Sequence, residues 1–449
     1  PGLSARDLAY ALEAEVVTQR RPLTGFSLDL QKYFNNLPVQ PVLLAMQWLG
    51  TPPKVLSFWQ TCLSRLHRQS VFGGHYGIAV SMRTGVPEGD PLSVAAAVAI
   101  AAVYHRLAET PLCSVRTYID NWAWSTTVRA ENTRLLRLTR CFTTSLRVDI
   151  DWTKSYSWAT DGPGRKWWLS NIADLVPEGA APRLARTVQE LGVTNRFHRQ
   201  VHYGSVRDRL AQGHARLSRL SRLRRPPHNK ALMIQCAVWP ATFYGTEALA
   251  LSKQEIHSLR TSASRALFGS TRATCPYIAL HAIGPGLSDP EVFLLVNALR
   301  TLRRTFVQNP TMANAILQLV CQPPATSRDL TGPAAALRAL LSRNSWTAQA
   351  DGTLHGPGHH RLHLHTSSAR DIAVEIREAW AHSVHDHMHH RNGLAGCPIP
   401  NGTATARALG KYKGSQQACL ARYVAGAFAS PASKGTWLPD VARACFHCG

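Results

Sequence analysis

Apolar and polar residues alternate strictly through Gly25-Phe26-Ser27-Leu28-Asp29-Leu30. That period of two predicts a half-buried strand, with Phe26, Leu28 and Leu30 on one face and Ser27 and Asp29 on the other. Val115, Thr117 and Ile119 alternate in the same way, and Trp122, Trp124, Thr126 and Thr127 follow. Between them stands Asp120-Asn121, a pair that tolerates positive φ, so a β-hairpin with Asp-Asn at its tip is expected. A second hairpin is expected over 69–83, turning at Gly73-Gly74.

Helical spacing marks 5–19. It also marks 41–66, where Pro52-Pro53 breaks the run in two. Residues 85–93 form a glycine-punctuated loop entering a helix that continues over 95–108, with Asp90 as N-cap and Pro91 at the first helical position. Further helices are expected over 131–146, across much of 285–341 (Val292, Leu295, Val296, Leu299 and Leu302) and over 416–428. Residues 342–368 read as a loop or a small β excursion, and 392–410 as a linker. Strands backed by helices make the fold class α+β.

Composition then narrows the partners. The chain has 449 residues, 45% of them hydrophobic, with 50 Lys and Arg against 27 Asp and Glu, a net charge of +23. This is enough for two to four domains, and the excess charge points to a polyanion. The most apolar run, 94–104, is far short of the ~20 residues that cross a bilayer and is expected to be a buried helix. No membrane partner and no protein partner is inferred. Ten scattered cysteines and no visible signal peptide suggest a reduced, intracellular protein.

Two strand-borne aspartates facing one cleft, Asp29 and Asp120, are the kind of pair that holds two divalent cations for phosphoryl or nucleotidyl transfer. Gly85-Val86-Pro87-Glu88-Gly89-Asp90-Pro91-Leu92-Ser93 lies between them, and Asp151-Trp152-Thr153-Lys154-Ser155 follows. In this order the chain resembles the reverse transcriptases of non-LTR (LINE-type) retrotransposons. Asp29 matches motif A, 85–93 motif B, Tyr118 to Asn121 motif C and Lys154 the motif D lysine. Lys166-Trp167-Trp168-Leu169-Ser170-Asn171-Ile172 resembles the primer-grip hairpin of motif E.

The resemblance implies a palm, an antiparallel sheet backed by helices, with partial fingers over 1–175. It further implies a thumb-like basic region over 176–270, a mostly helical region over 271–410, and a helix with a truncated zinc-knuckle-like end over 411–449. It implies RNA-directed DNA polymerisation. Asp29 and Asp120 are the catalytic and metal acids, the Leu30 carbonyl and Asn121 stand beside the ions, and Lys154 is a candidate proton donor. Phe34 is the steric gate against ribose, and Tyr118, Gly85, Pro87, Glu88 and Gly89 are nucleotide contacts.

Two Mg2+ ions, or Mn2+, are the implied cofactors, and an RNA template, a DNA primer or target and dNTPs the partners. Localisation is nuclear by the same resemblance. The chain departs from the family in having Glu88 for the usual glutamine, Asn121 for the second motif C acid and few residues ahead of Asp29. Cys445-Phe446-His447-Cys448 is half of a zinc knuckle, so zinc is not expected there. The His382, His385, His387, His389 and His390 cluster lacks a known ligand spacing.

The most basic stretch, 196–230, carries Arg207, Arg209, Arg216, Arg219, Arg222, Arg224, Arg225 and Lys230. Val206, Leu210, Leu217 and Leu220 form an apolar stripe within it. It is expected to track a nucleic-acid backbone. Each feature alone has an ordinary explanation: a surface turn, a core phenylalanine, a solvated lysine, a solvated helix. Two other functions stay open, a repurposed palm that binds nucleic acid without chemistry and an RNA-dependent RNA polymerase. Phe34 disfavours the latter.

Overall fold

The computed structural model describes residues 5–19, 21–81, 84–190, 193–197, 204–268, 276–283, 289–322 and 332–389. The expected elements at 392–410 and 416–428, His390, Cys445 and Cys448 lie outside them, as do the side chains of His385, His387 and His389. The chain divides into a sheet unit, Gln19–Val188 with Arg196 and Phe197, and a helical unit that holds the other described residues. Helix α1 (Ala5–Thr18) belongs to the helical unit and not with the strand it precedes.

In the sheet unit, β1 (Thr24–Leu30) leads to α2 (Tyr33–Asn36), α3 (Val39–Trp48) and α4 (Pro53–Ser64). Four two-residue strands follow, β2 (His67–Arg68), β3 (Val71–Phe72), β4 (His75–Tyr76) and β5 (Val80–Ser81), with Gly73-Gly74 at the turn. Then come α5 (Pro91–Ala108), the hairpin β6 (Cys113–Tyr118) and β7 (Asn121–Thr126), α6 (Arg129–Ser145), β8 (Ile150–Ala159), α7 (Gly162–Leu175) and β9 (Arg183–Ala185). The sheet order is β6-β7-β1-β8-β9, antiparallel except for the parallel β8–β9 pair. The fold is α+β.

One face of β1 supplies Phe26, Leu28 and Leu30 to a core shared with Trp122, Trp124, Tyr104, Leu135 and Leu136. Trp122 stacks on Tyr104 at 4.4 Å and Trp124 on Phe26 at 5.5 Å. Truncating such a buried aromatic to alanine typically costs ~3–5 kcal/mol.

Two expectations are corrected here. The motif E segment is not a hairpin, because 166–172 lies inside α7. Asp161 caps that helix by accepting from the Gly164 N–H at 2.9 Å, Pro163 suits its first turn, and Trp168 is buried on its inner face. The apolar run 94–104 is the middle of an 18-residue helix, α5, long and apolar enough by length and composition to cross a membrane. Its Ser93, Ala96, Ala97, Ile100 and Tyr104 are built into the core, while Val94, Val98 and Leu107 are exposed.

After the short ladder β10 (Thr187–Glu190) and β11 (Val193–Arg196), the helical unit runs through α8 (Gly204–Ser221), α9 (Pro227–Met233), α10 (Trp239–Thr242) and α11 (Lys253–Phe268). It continues with α12 (Pro276–Ile283), α13 (Pro290–Gln308), α14 (Pro310–Cys321) and α15 (Gly332–Arg343). A three-stranded sheet of β12 (Thr347–Ala348), β13 (Thr353–His355) and β14 (Arg361–His363) then precedes α16 (Ala369–His389).

The expected boundary near 270 is not a boundary between cores. Val206, Leu210, Leu217 and Leu220 of α8 share one hydrophobic cluster with α1, α11, α13, α14, α15 and α16. Inside it, Arg260 reaches Asp289 at 2.6 Å and Glu291 at 2.9 Å, Arg343 reaches Glu291 at 3.2 Å, and the Arg260 guanidinium lies over the Tyr277 ring at 4.0 Å.

Candidate active site

The central strand fixes the site. Asp29 is the last polar residue of β1, opposite Asn121 on β7 and opposite Asp151 on β8. Directly opposed residues of antiparallel strands point to one face, so the three side chains form a row across the sheet. Asp120 sits at the hairpin tip beside this row, and its carbonyl accepts from the Leu30 N–H at 2.9 Å.

The turn itself is shifted by one residue from the expected Asp120-Asn121. Tyr118 pairs with Asn121, leaving Ile119-Asp120 as the loop. The ladder with β1 draws Asn121 into register opposite Asp29. The Trp122 indole N–H, its ring held against Tyr104, donates to the Ile119 carbonyl at 2.9 Å. Ile119 consequently takes φ +54°, strain of order 1–3 kcal/mol for a residue outside its favoured region.

Lys154 arrives from a bulge. Ser27 pairs with Tyr156 and Asp29 with Asp151, so β1 advances two residues while β8 advances five. The extra residues are shaped by Asp151. Its Oδ1 accepts from the Thr153 hydroxyl at 2.5 Å, the Thr153 N–H at 3.1 Å and the Lys154 N–H at 3.3 Å. The bulge aims the Lys154 ammonium at Asp29, 2.8 Å away, and at Asp151, 3.3 Å away.

Asp151 is the member of the site that the sequence reading passed over. Its signal was an Asp two residues ahead of a Thr, the spacing of an Asx turn.

The electrostatics differ from one acid to the next. Burial, with the Asp29 charge adding to it, holds the Asp120 carboxyl above the usual carboxylate range, and the Asn121 amide and Lys154 oppose this. The amide donates to Asp120 Oδ1 at 3.0 Å, a bond an ionised aspartate at 121 could not make. Asp151 is held below the usual range, first by the Thr153 hydroxyl. The bond to Asp29 raises Lys154 above the ordinary lysine value. Three carboxylates against one ammonium, all oxygen donors, suit a hard divalent cation such as Mg2+ or Mn2+.

The other expected contacts fall around this row. Gly85 takes φ +84°, and a Cβ there would lie 2.4 Å from the Asn35 carbonyl oxygen. Its N–H donates to Leu37 and that of Val86 to Phe34, which locks the loop onto α2. Phe34 packs partly buried at the core edge, its ring 6.0 Å from that of Tyr33. Tyr118 and Pro87 are half-buried, and Glu88 and Gly89 are exposed.

The basic stretch is only partly available to a ligand. Arg207, Arg219, Arg222, Arg224 and Arg225 are exposed. Lys230 is buried, its ammonium donating to the Ser221 and Ala266 carbonyls at 3.1 Å each. Arg209 donates to the Tyr244 carbonyl and lies over that ring, and Arg216 is half-buried. For Lys230 and Arg209 the expected nucleic-acid role gives way to internal bonds, because each lies where a helix end or turn leaves a carbonyl unpaired. No protein-family model matches the chain, and no curated protein matches it.

Proposed function

We propose that the sheet unit is a nucleotidyl-transfer site, of the kind used for RNA-directed DNA synthesis. The observation that carries this reading is the row Asn121, Asp29 and Asp151 on one face of the sheet, with Asp120 at its edge and an excess of negative charge. Burial and the Asp29 charge keep Asp120 out of balance until a cation arrives. The donor set therefore fits Mg2+, with Asp29 and Asp120 as its anionic ligands. When bound, the metal would supply an activated primer hydroxyl and charge neutralisation at the triphosphate.

The protein's own residues do the rest. Asn121 orients Asp120 through its amide. Lys154 neutralises Asp29 and, once released from it, is placed to donate a proton to a leaving phosphate oxygen. Phe34, held on α2 by the Gly85 loop, supplies the bulk that rejects a ribose 2′-hydroxyl. The exposed arginines of 204–225 supply phosphate contacts.

Primer extension on an RNA template, with separate dNTP and NTP pools, tests this directly. Extension with dNTPs in Mg2+ is expected, lost in Asp120→Asn, with NTP incorporation rising in Phe34→Val. Preferential use of NTPs by the parent would replace the reading with an RNA polymerase.

One observation favours a second reading, a nucleic-acid-binding protein without chemistry: Lys154 already occupies the Asp29 oxygen at 2.8 Å. Inactivity of the parent and of Lys154→Ala, with RNA binding intact, would decide for it.

A further inference from the structure

The histidine-rich part of the chain holds a second group of ligand-type side chains, remote in sequence from the aspartates. Its pieces come from two elements of the helical unit. Glu375, Glu378 and His382 recur at intervals of three and four residues along α16, so they share one face of that helix. His360 comes from the turn between β13 and β14.

That turn has an unusual backbone. Gly358 and His359 both have positive φ, +65° and +64°. A Cβ on Gly358 would lie 3.0 Å from the His382 ring. The turn thus carries a strained residue at His359 and places His360 against the helix.

His360, Glu375 and Glu378 bring one ligand atom each within 4.8 Å of one another. The His360 Nδ1 lies 2.8 Å from Glu375 Oε2, and the rings of His360 and His382 are 5.3 Å apart. A simple ion pair is an incomplete account of this contact. The His360 side chain is only 14% exposed, and its Nε2 is buried with no hydrogen-bond partner. An imidazole grouped with two carboxylates is a donor set that a transition metal can use.

From this arrangement we infer that His360, Glu375 and Glu378 form a zinc site that clips the β13–β14 turn to α16. Imidazole with carboxylates selects zinc over magnesium, which takes oxygen donors. The site is independent of the aspartate row. It differs from the terminal Cys445-Phe446-His447-Cys448, and His360 lies outside the 382–390 histidine cluster.

The test uses the full chain, metal-stripped. It carries Cys397, Cys445 and Cys448→Ser and His385, His387, His389 and His390→Ala to remove other zinc ligands. Titration with Zn2+ is followed by metal analysis, and with Co2+ by visible absorption. One equivalent is expected in this background and in an added Asp29→Asn/Asp120→Asn variant. Affinity should fall at least about tenfold, the scale seen when a metal-site partner is removed, in His360→Ala and in Glu378→Gln.

Glu378 is exposed, so its variant retains the fold even if His360→Ala does not. Zinc should raise the melting temperature of the background and not that of Glu378→Gln. No bound equivalent, or equal affinity in Glu378→Gln, would overturn the assignment and leave an ordinary histidine–carboxylate pair.

Discussion

The two units each contain a cluster of acids and bases, and the clusters are built on opposite rules. In the helical unit, Arg260 and Arg343 meet Asp289 and Glu291, two cations against two anions. Arg260 and Asp289 are almost wholly out of solvent. Asp289 also caps α13 through the Glu291 and Val292 N–H groups.

In the sheet unit, three carboxylates face one lysine that is 67% exposed. A balanced, enclosed cluster is self-sufficient and holds helices in place. An unbalanced, open one is left with a net negative charge. Charge balance, rather than the number of charged residues, separates the structural cluster from the candidate chemical one.

The largest expected effect breaks the comparison at its functional end. Asp120→Asn should reduce Mg2+-dependent primer extension by ~10³-fold or more, the loss of several kcal/mol of metal-assisted stabilisation. The melting temperature should stay level or rise, because an acid disfavoured by burial is removed. A stability loss parallel to the activity loss would make Asp120 a structural acid.

Arg260→Ala is the opposite case. It leaves Asp289 buried and unpaired, so unfolding in urea should show a loss of ~3–5 kcal/mol. A change under about 1 kcal/mol would show that the helical cluster is dispensable.

Next in size is a split within the basic stretch. Arg219→Ala with Arg222→Ala should flatten the salt dependence of RNA binding by roughly one unit of slope per lost phosphate contact, at unchanged stability. Lys230→Ala should lower stability by ~1–3 kcal/mol and leave the slope alone, since its ammonium serves two carbonyls. A slope change in Lys230→Ala would return that lysine to the binding surface.

The smallest effect is in pH. Asp120 binds its proton more tightly folded than unfolded. Between the usual carboxylate value and its raised one, it therefore makes stability fall as pH rises. Asp151 acts the other way: its contribution is present above the usual value and is lost as pH drops through its lowered one. Denaturant midpoints from pH 3 to 7 should gain an upward tilt with pH in Asp120→Asn and lose one in Asp151→Asn. Parallel curves for both would mean that neither acid feels the site.

Much of this was legible from the sequence because it depended on local periodicity. The alternation of Phe26 to Leu30, the Asp90-Pro91 helix start and the stripe on α8 all fold as read. What escaped depended on tertiary partners. The hairpin tip moved by one residue because β1 sets its register. Residues 166–172 became helix because Asp161 and Pro163, just upstream, start one and Trp168 finds a core. Lys230 and Arg209 turned inward toward carbonyls that only the folded chain leaves unpaired. His360 joins Glu375 and Glu378 across 15 and 18 positions, a spacing no ligand motif announces.

The bulge of β8 separates two demands on one strand. Pairing with β1 holds from Ser27–Tyr156 onward and again at Asp29–Asp151, so the sheet is pinned on both sides of the extra residues. Chain length can therefore change between those two points without shifting the pairing register on either side of them. An inserted or deleted residue there would re-aim the lysine and also disturb Trp152, which packs on the core, and the buried Ser155. A lineage carrying this sheet could alter that reach by single-codon insertions or deletions so long as Trp152 kept its place against Phe26.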